Sequence, residues 1–451
     1  MSDFHFTPGE LAAWSSGRWC GGTPPAITGF AIDSRAIQPG DCFVALPGAK
    51  VDGHQFLDVA RERGAACALV RGGVSCPGLP LLEVADPKHA LMELARGHRA
   101  RLGGRMIAVT GSSGKTSVKE MTADLLALAG PTARTRGNWN NDLGLPLSLL
   151  TMKPGDAFGV FEVGMNHPGE LKPLCELLRP HISVVTCVGP VHIEFFESEE
   201  GIAHEKAEVY RALDADGLAI LPADDPWFRV LNSHVRSRAL TVSMQQDADY
   251  RVVAGEPPLF VVSEWASGET SAFSAPLPGR HVLSNAGLAI AVARQFGIEW
   301  EALARRVQAF RPPGMRWEDR EVRGVRIIND AYNANPMSMR AALDAFAEID
   351  VAGNRWLVLG AMRELGTHAE EEHLALGRLL ARGPWAGLVA VGPEGAWLRE
   401  GARSVGFQKI RLAADAMEAA RILKDLIQPG DAVLLKASRG VALEDVLDEL
   451  G

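Results

Sequence analysis

Met106-Ile107-Ala108-Val109-Thr110-Gly111-Ser112-Ser113-Gly114-Lys115-Thr116-Ser117 joins an apolar run to a turn of small residues, then to a lysine and a threonine. The run has the composition of a buried strand, and Val118 to Ala129 carries a helical pattern. Strand, small-residue turn and helix in that order make a cradle for phosphate. Glycines let backbone N–H groups approach the anion, and the helix start favours negative charge. Lys115 is spaced to meet β/γ-phosphate charge, and the Thr116 hydroxyl to sit on magnesium. Thr110, Gly111, Ser112, Ser113, Gly114, Lys115, Thr116 and Ser117 are therefore candidate contacts for ATP or a relative. The full phosphate-loop spacing asks for glycine where Val109 stands, so the motif rests on Gly114-Lys115-Thr116 after a clean apolar strand.

The length of 451 residues predicts about three domains. Hydrophobic content of 47% and charged content of 22% are ordinary for a globular chain with a sizeable core. A net charge of −9 argues against a non-specific nucleic-acid binder, and an anionic substrate would need local basic clusters. Cys20, Cys42, Cys67, Cys76, Cys175 and Cys187 show no metal-type spacing and read as reduced thiols. Met1 to His5 lacks the basic and apolar regions of a signal peptide, and no apolar run is long enough to span a bilayer. These features predict a soluble cytoplasmic protein, with a monomer as the default.

Outward from the cradle, strands and helices alternate. Before it, Cys42–Leu46 and Ala66–Val70 read as strands and Phe56–Gly64 as a helix closed by glycine. After it, Phe158–Phe161, Ile182–Thr186 and Leu218–Leu221 read as strands of a mostly parallel sheet. Residues 247–278 alternate in a β-type pattern that predicts a small antiparallel addition, and Leu283–Phe296 reads as a helix. Arg311-Pro312-Pro313-Gly314 is a boundary, because two prolines and a glycine stop a helix. Strands near Val325, Trp356, Leu388 and Ala432 then predict a second α/β domain.

In open α/β sheets, ligands gather at the carboxyl ends of strands. Glu162 ends one strand, where it reads equally as a metal-holding carboxylate or a surface acid. His192, in Gly189-Pro190-Val191-His192, reads by itself as a hydrogen-bonded loop histidine. Lys206 lies in the charged helical stretch Ile202–Val209, where a solvated lysine paired with a glutamate is the plain reading. Asn138, Asn140 and Asn141 crowd around Trp139 in a segment that suits either a turn or a polar ligand.

Taken together, Gly111–Thr116, Gly137-Asn138-Trp139-Asn140-Asn141-Asp142-Leu143-Gly144-Leu145-Pro146, Glu162–Glu170 and Gly189–His192 resemble the Mur ligases of peptidoglycan synthesis. The similarity covers nearly the whole chain. Asp33-Ser34-Arg35 and Pro39–His54 resemble the family's N-terminal part. Ala331–Pro336, Glu364-Leu365-Gly366 and Lys436–Gly440 resemble its C-terminal part. The resemblance implies an N-terminal UDP-sugar-binding α/β domain over residues 1–102, a central ATP-binding domain with a mostly parallel sheet over 103–312, and a C-terminal Rossmann-like domain over 313–451.

The resemblance also implies an ATP-dependent amide ligase using magnesium. A carboxylate attacks the γ-phosphate of ATP, and an amine displaces phosphate from the resulting acyl phosphate. The family branch most resembled joins D-Ala-D-Ala to UDP-N-acetylmuramoyl-tripeptide. A sister branch adds a diamino acid, but its Asp-Asn-Pro-Arg motif is absent here. A non-catalytic nucleotide-binding regulator is a further alternative. By resemblance Lys115, Glu162, His192 and Lys206 are catalytic, Thr116, Glu162, His192 and Lys206 surround the metal, and Lys206 is carbamylated. Asn285, Arg316, Asp330 and Tyr332 fall at the adenosine; Ser34 and Arg35 at the UDP group; Asn138, Asn140, Asn141, Asn333 and Asn335 at the other substrate groups. The chain departs from the family pattern at Ala361, where aspartate is common, and at Ala331, where serine is frequent. Trp139 stands where phenylalanine is common, and Arg316 lies one residue later than usual.

Overall fold

The computed structural model describes residues 4–48 and 51–450. It holds three sheets, drawn from residues 18–84, 105–274 and 318–436. The first runs in the order Arg18–Cys20, Leu81–Val84, Cys67–Arg71, Asp41–Val44, Gly29–Ala31, with only the Arg18–Cys20 strand antiparallel. The third runs Glu318–Val322, Val325–Asn329, Ala432–Lys436, Arg355–Leu359, Trp385–Val391, Ile410–Ala413, with only the leading strand antiparallel. These inner strands are buried on both faces, which is why they read as continuous apolar runs.

The central sheet has nine strands. From one edge they are Thr270–Ser274, Leu259–Glu264, Tyr250–Ala254, Arg238–Ser243, Leu218–Pro222, Ile182–Val185, Arg105–Thr110, Phe158–Glu162 and Thr132–Arg134. The expected antiparallel addition is there, but it extends the main sheet. Tyr250–Ala254 pairs parallel to Arg238–Ser243 and antiparallel to Leu259–Glu264. Helix Arg280–Arg294 packs on the helix that follows the cradle, and its Leu288–Ala293 stretch is fully buried.

Local chemistry sets the helix starts. Asp86 accepts from the N–H groups of Lys88 and His89 and opens helix Pro87–Ala100. Asn335 accepts from the Ser338 N–H and opens Pro336–Glu348. Each such cap contributes about 1 kcal/mol. The cradle helix begins earlier than its apolar pattern predicts, at Lys115 directly after Gly114, and runs to Leu126. Among the described residues no helix is long and apolar enough to cross a membrane. All six cysteines are free thiols.

Candidate active site

Strand Arg105–Thr110 lies between Phe158–Glu162 and Ile182–Val185, where the sheet's order of growth reverses. Such a switch point opens a crevice beyond the strand ends. The loop in it is shaped by two glycines. Gly111 has φ +148°, and a Cβ there would fall 1.8 Å from Thr186 Oγ1. Gly114 has φ +81°, and its Cβ would fall 2.7 Å from Asn285 Oδ1. Both conformation and space therefore exclude side chains. Ser112 anchors the loop: its N–H donates to Cys187 O at 2.8 Å and its hydroxyl to Gly189 O at 3.0 Å. Lys115 Nζ folds back onto Gly111 O at 2.8 Å. Burial pushes its ammonium pKa down, partly offset by Glu162.

Glu162 is the next node and is 2% exposed. Its Oε2 accepts from the Thr116 hydroxyl at 2.8 Å, and its Oε1 accepts from Asn140 Nδ2 at 2.7 Å. The Thr116 oxygen also accepts from Arg316 Nη2 at 3.0 Å. Arg316 arrives from the C-terminal part with its guanidinium 3.9 Å above the Tyr332 ring. Met315 and Trp317 on either side of it are left-handed, at φ +57° and +54°. The Trp317 N–H donates to Asp330 Oδ1 at 3.2 Å, and the Tyr332 N–H to Met315 O at 3.1 Å, which holds that bend. Asp330 is itself fixed by Lys436 Nζ at 2.7 Å.

His192 crosses the same boundary in the other direction. Its Nδ1 lies 2.5 Å from Glu364 Oε2, a close polar contact. His192 holds the Glu364 carboxyl below its usual range despite burial. Lys206 closes helix Glu199–Lys206 and is 2% exposed, without a hydrogen bond or ion pair among the described residues. Burial, then Lys115, pushes its pKa well below the usual lysine value. The plain reading of a solvated, glutamate-paired lysine is thus corrected. Its helix turns the side chain inward, which charge composition alone does not reveal.

Most of these groups, though not Lys206, line one cavity of about 990 Å³ between the central and C-terminal parts. The Mur ligase middle-domain profile matches residues 109–293, the family's glutamate-ligase-domain profile residues 315–439, and its catalytic-domain profile residues 26–99. The UDP-N-acetylmuramoyl-tripeptide–D-alanyl-D-alanine ligase of Bacillus subtilis (strain 168) is 34% identical over 433 residues, spanning 94% of this chain and 93% of that one. The chain belongs to the Mur ligase family. Solved relatives agree along the whole length. MurF from Acinetobacter baumannii superposes with a TM-score of 0.90 at 30% identity, covering 100% of this chain and 99% of that one. MurF ligase from Thermotoga maritima in complex with ADP superposes with a TM-score of 0.78 at 29% identity, over 94% and 96%.

In this Mur ligase the cavity wall carries Ser112 to Ser117, Asn138, Asn140, Asn141, Glu162, His192, Asn285, Arg316, Asp330, Tyr332, Asn333 and Asn335. Thr110, Gly111, Lys206, Ser34 and Arg35 are not part of that wall. Arg35 is engaged with Asp33 at 2.8 Å on the first sheet's surface. Asn141 has local work as well: its Oδ1 accepts from the Gly144 N–H at 2.9 Å at the start of helix Gly144–Thr151. Arg316 reaches Thr116 despite its shifted spacing, because the bend at Met315 and Trp317 carries it across. Ala361 is buried and outside the wall. Arg363, Lys436 and Arg439 line the cavity without having been assigned a role from sequence. The available signal was position: Lys436 ends strand Ala432–Lys436 at its carboxyl end.

Proposed function

We propose that this chain is an ATP-dependent amide ligase joining D-Ala-D-Ala to UDP-N-acetylmuramoyl-tripeptide, with ADP and phosphate as co-products, in peptidoglycan precursor synthesis in the cytoplasm. The observation that carries this reading is the single cavity on which a phosphate cradle, the Thr116–Glu162–Asn140 chain and the Asn333–Asn335 loop converge. Full-length relatives named for that reaction support it.

A carboxylate is a poor acyl donor, so it is phosphorylated first. A substrate carboxylate oxygen bonds to the γ-phosphorus of ATP as the bond to ADP breaks. The dipeptide amine then attacks the acyl carbon, a proton is released, and the C–O bond to phosphate breaks. Lys115 and Arg316 neutralise phosphate charge, and the asparagine-bearing loops hold the two substrates in register. Thr116 and Glu162 offer an oxygen-only pair in contact, which suits magnesium completing its shell with phosphate oxygens and water. Bound there, the ion would supply further neutralisation of phosphate charge. His192, now on Glu364, and Lys206 would stand at the edge of that site.

Lys206 fits a carbamate. Burial favours its neutral amine, which adds carbon dioxide and loses a proton to give an anion near the Lys115 charge. Asn285, Asp330 and Tyr332 are assigned to the nucleoside, and Ser34 and Arg35 to the UDP group. We take residues 1–102, 103–312 and 313–451 as the three domains, and a monomer as the working unit.

The test is magnesium-dependent phosphate release from ATP with UDP-N-acetylmuramoyl-tripeptide and D-Ala-D-Ala, each omitted in turn, with product mass read directly. Release should require both and yield the pentapeptide. Turnover only with UDP-muramoyl-dipeptide and a diamino acid would transfer the assignment to the sister ligase. Nucleotide binding without turnover would make the chain a regulator.

A further inference from the structure

The incoming dipeptide presents an amine to the acyl phosphate and carries a carboxylate at its other end. A chain of net charge −9 needs a local cation to accept that carboxylate. Five Lys and Arg side chains line the cavity, and three are committed. Lys115 serves the cradle and Arg316 holds Thr116. Lys436 is 3% exposed and bound to Asp330 Oδ2 and Asn333 O. Arg439 is ion-paired with Glu444 and lies 3.5 Å from Met315 Sδ, on the Tyr332 flank of the cavity.

Arg439 and Arg363 are each 56% exposed with one acidic partner, and Arg363 differs by its place, beside the residue that touches His192. Among the described residues the Arg363 side chain makes one polar contact, Nη1 to Glu394 Oε1 at 3.2 Å, which leaves Nε and Nη2 without a partner there. Its backbone is fixed: the Arg363 N–H donates to Ser438 Oγ at 2.9 Å, and that hydroxyl donates to Ala334 O at 3.3 Å. The guanidinium is therefore mounted on the loop system that carries Asn333 and Asn335. The next residue, Glu364, touches His192 across the domain boundary. An extended dipeptide spans about 7 Å, so an amine near the His192 side of the cavity would leave its carboxylate within the sweep of a long side chain on this lip.

Resting on the ligase reading above, the geometry points to Arg363 as the carboxylate anchor for the incoming dipeptide, exchanging Glu394 for the substrate's C-terminal carboxylate. A planar guanidinium fork matches a carboxylate with two parallel N–H···O bonds, which lysine cannot reproduce. Arg363 thus selects amine substrates that end in a free carboxylate.

The experiment compares D-Ala-D-Ala with its C-terminal amide, in the full-length enzyme, for wild type, Arg363→Gln, Arg363→Lys and Arg439→Ala. Wild type should prefer the carboxylate. Arg363→Gln should raise the KM for D-Ala-D-Ala about ten- to hundredfold, leave the KM for ATP unchanged, and abolish discrimination against the amide. Arg363→Lys should recover part of the preference, and Arg439→Ala should keep it. Retained carboxylate preference in Arg363→Gln, or its loss in Arg439→Ala instead, overturns the assignment. No turnover of D-Ala-D-Ala by wild type itself would overturn the ligase reading, and the anchor with it.

Discussion

The molecule has two seams, and they use polar groups in opposite ways. Between the N-terminal and central parts, side chains of helix Pro87–Ala100 bond to backbone carbonyls. Arg99 Nε donates to Leu178 O at 2.7 Å and Nη2 to Arg179 O at 3.0 Å, while His98 Nε2 donates to Met152 O at 2.7 Å. Next to them the Arg101 guanidinium lies 4.7–4.9 Å from the ring centroids of Phe4, Phe6 and Trp14 and pairs with Glu10 at 2.7 Å. Between the central and C-terminal parts, side chains meet side chains: Arg316 on Thr116, His192 on Glu364, with the cavity enclosed among them. A backbone carbonyl cannot turn to another partner, whereas a side-chain pair can be exchanged for a ligand. The first seam is built to hold, and the second to be reorganised.

The sharpest way to break this contrast is at Lys115. Lys115→Ala should cut kcat by about 10²–10³, the usual range for losing one positioned group that stabilises developing charge, while the thermal midpoint barely moves. Phosphate release and a melting curve on the same preparation read both quantities. A large fall in melting temperature would mean that the cradle bordering the second seam is also a structural element.

Arg99→Ala probes the other side. Burial lowers the guanidinium pKa to about 10, so it stays charged at neutral pH, and removing it strands carbonyls of Leu178, Leu102 and Arg179. The expected loss is about 3 kcal/mol of stability, read by urea denaturation, with kcat nearly unchanged at a temperature where the variant is folded. Loss of activity without loss of stability would sink the idea that this seam is structural.

The same contrast explains what could be read from the sequence. The cradle was legible because a local run carries all of it: strand, glycines, lysine and threonine within twelve residues. The inner strands were legible because burial on both faces leaves continuous apolar runs. Edge strands such as Glu318–Val322 were not, since exposed positions filled with charges look like loop. Thr132–Arg134 and Arg18–Cys20 are three residues each, too short to show a period. Glu364 was read only as part of a motif, and Arg363 beside it was not singled out. Their importance comes from long-range contacts with Glu394 and His192, and no local pattern encodes those. Charge pattern alone reads Lys206 as solvated for the same reason, since burial is a property of the packed helix, and only the resemblance placed Lys206 at the site.

The smallest expected effect is a pH dependence at the first seam. His98 is fully buried; its Nε2–H donates to Met152 O while its Nδ1 accepts from Arg101 Nε at 2.9 Å. That pattern fits only the neutral ring, since a proton on Nδ1 would face another donor. Burial foremost, with Arg101 adding to it against the pull of Met152 O and Glu10, lowers the His98 pKa to about 4 from 6.5. Because the folded value lies below the unfolded one, the stabilisation is complete above about pH 6.5 and is lost as pH falls toward 4, where the native ring finally protonates. Its full size is about 3 kcal/mol, of which about 2 kcal/mol is lost by pH 5. His98→Gln can keep a donor and an acceptor without titrating. Urea denaturation of wild type and His98→Gln at pH 7.5, 6 and 5 should show the stability gap shifting in favour of the variant as pH drops. A gap that stays constant over that range would mean that His98 is not held neutral, and that the seam is wetter than its contacts imply.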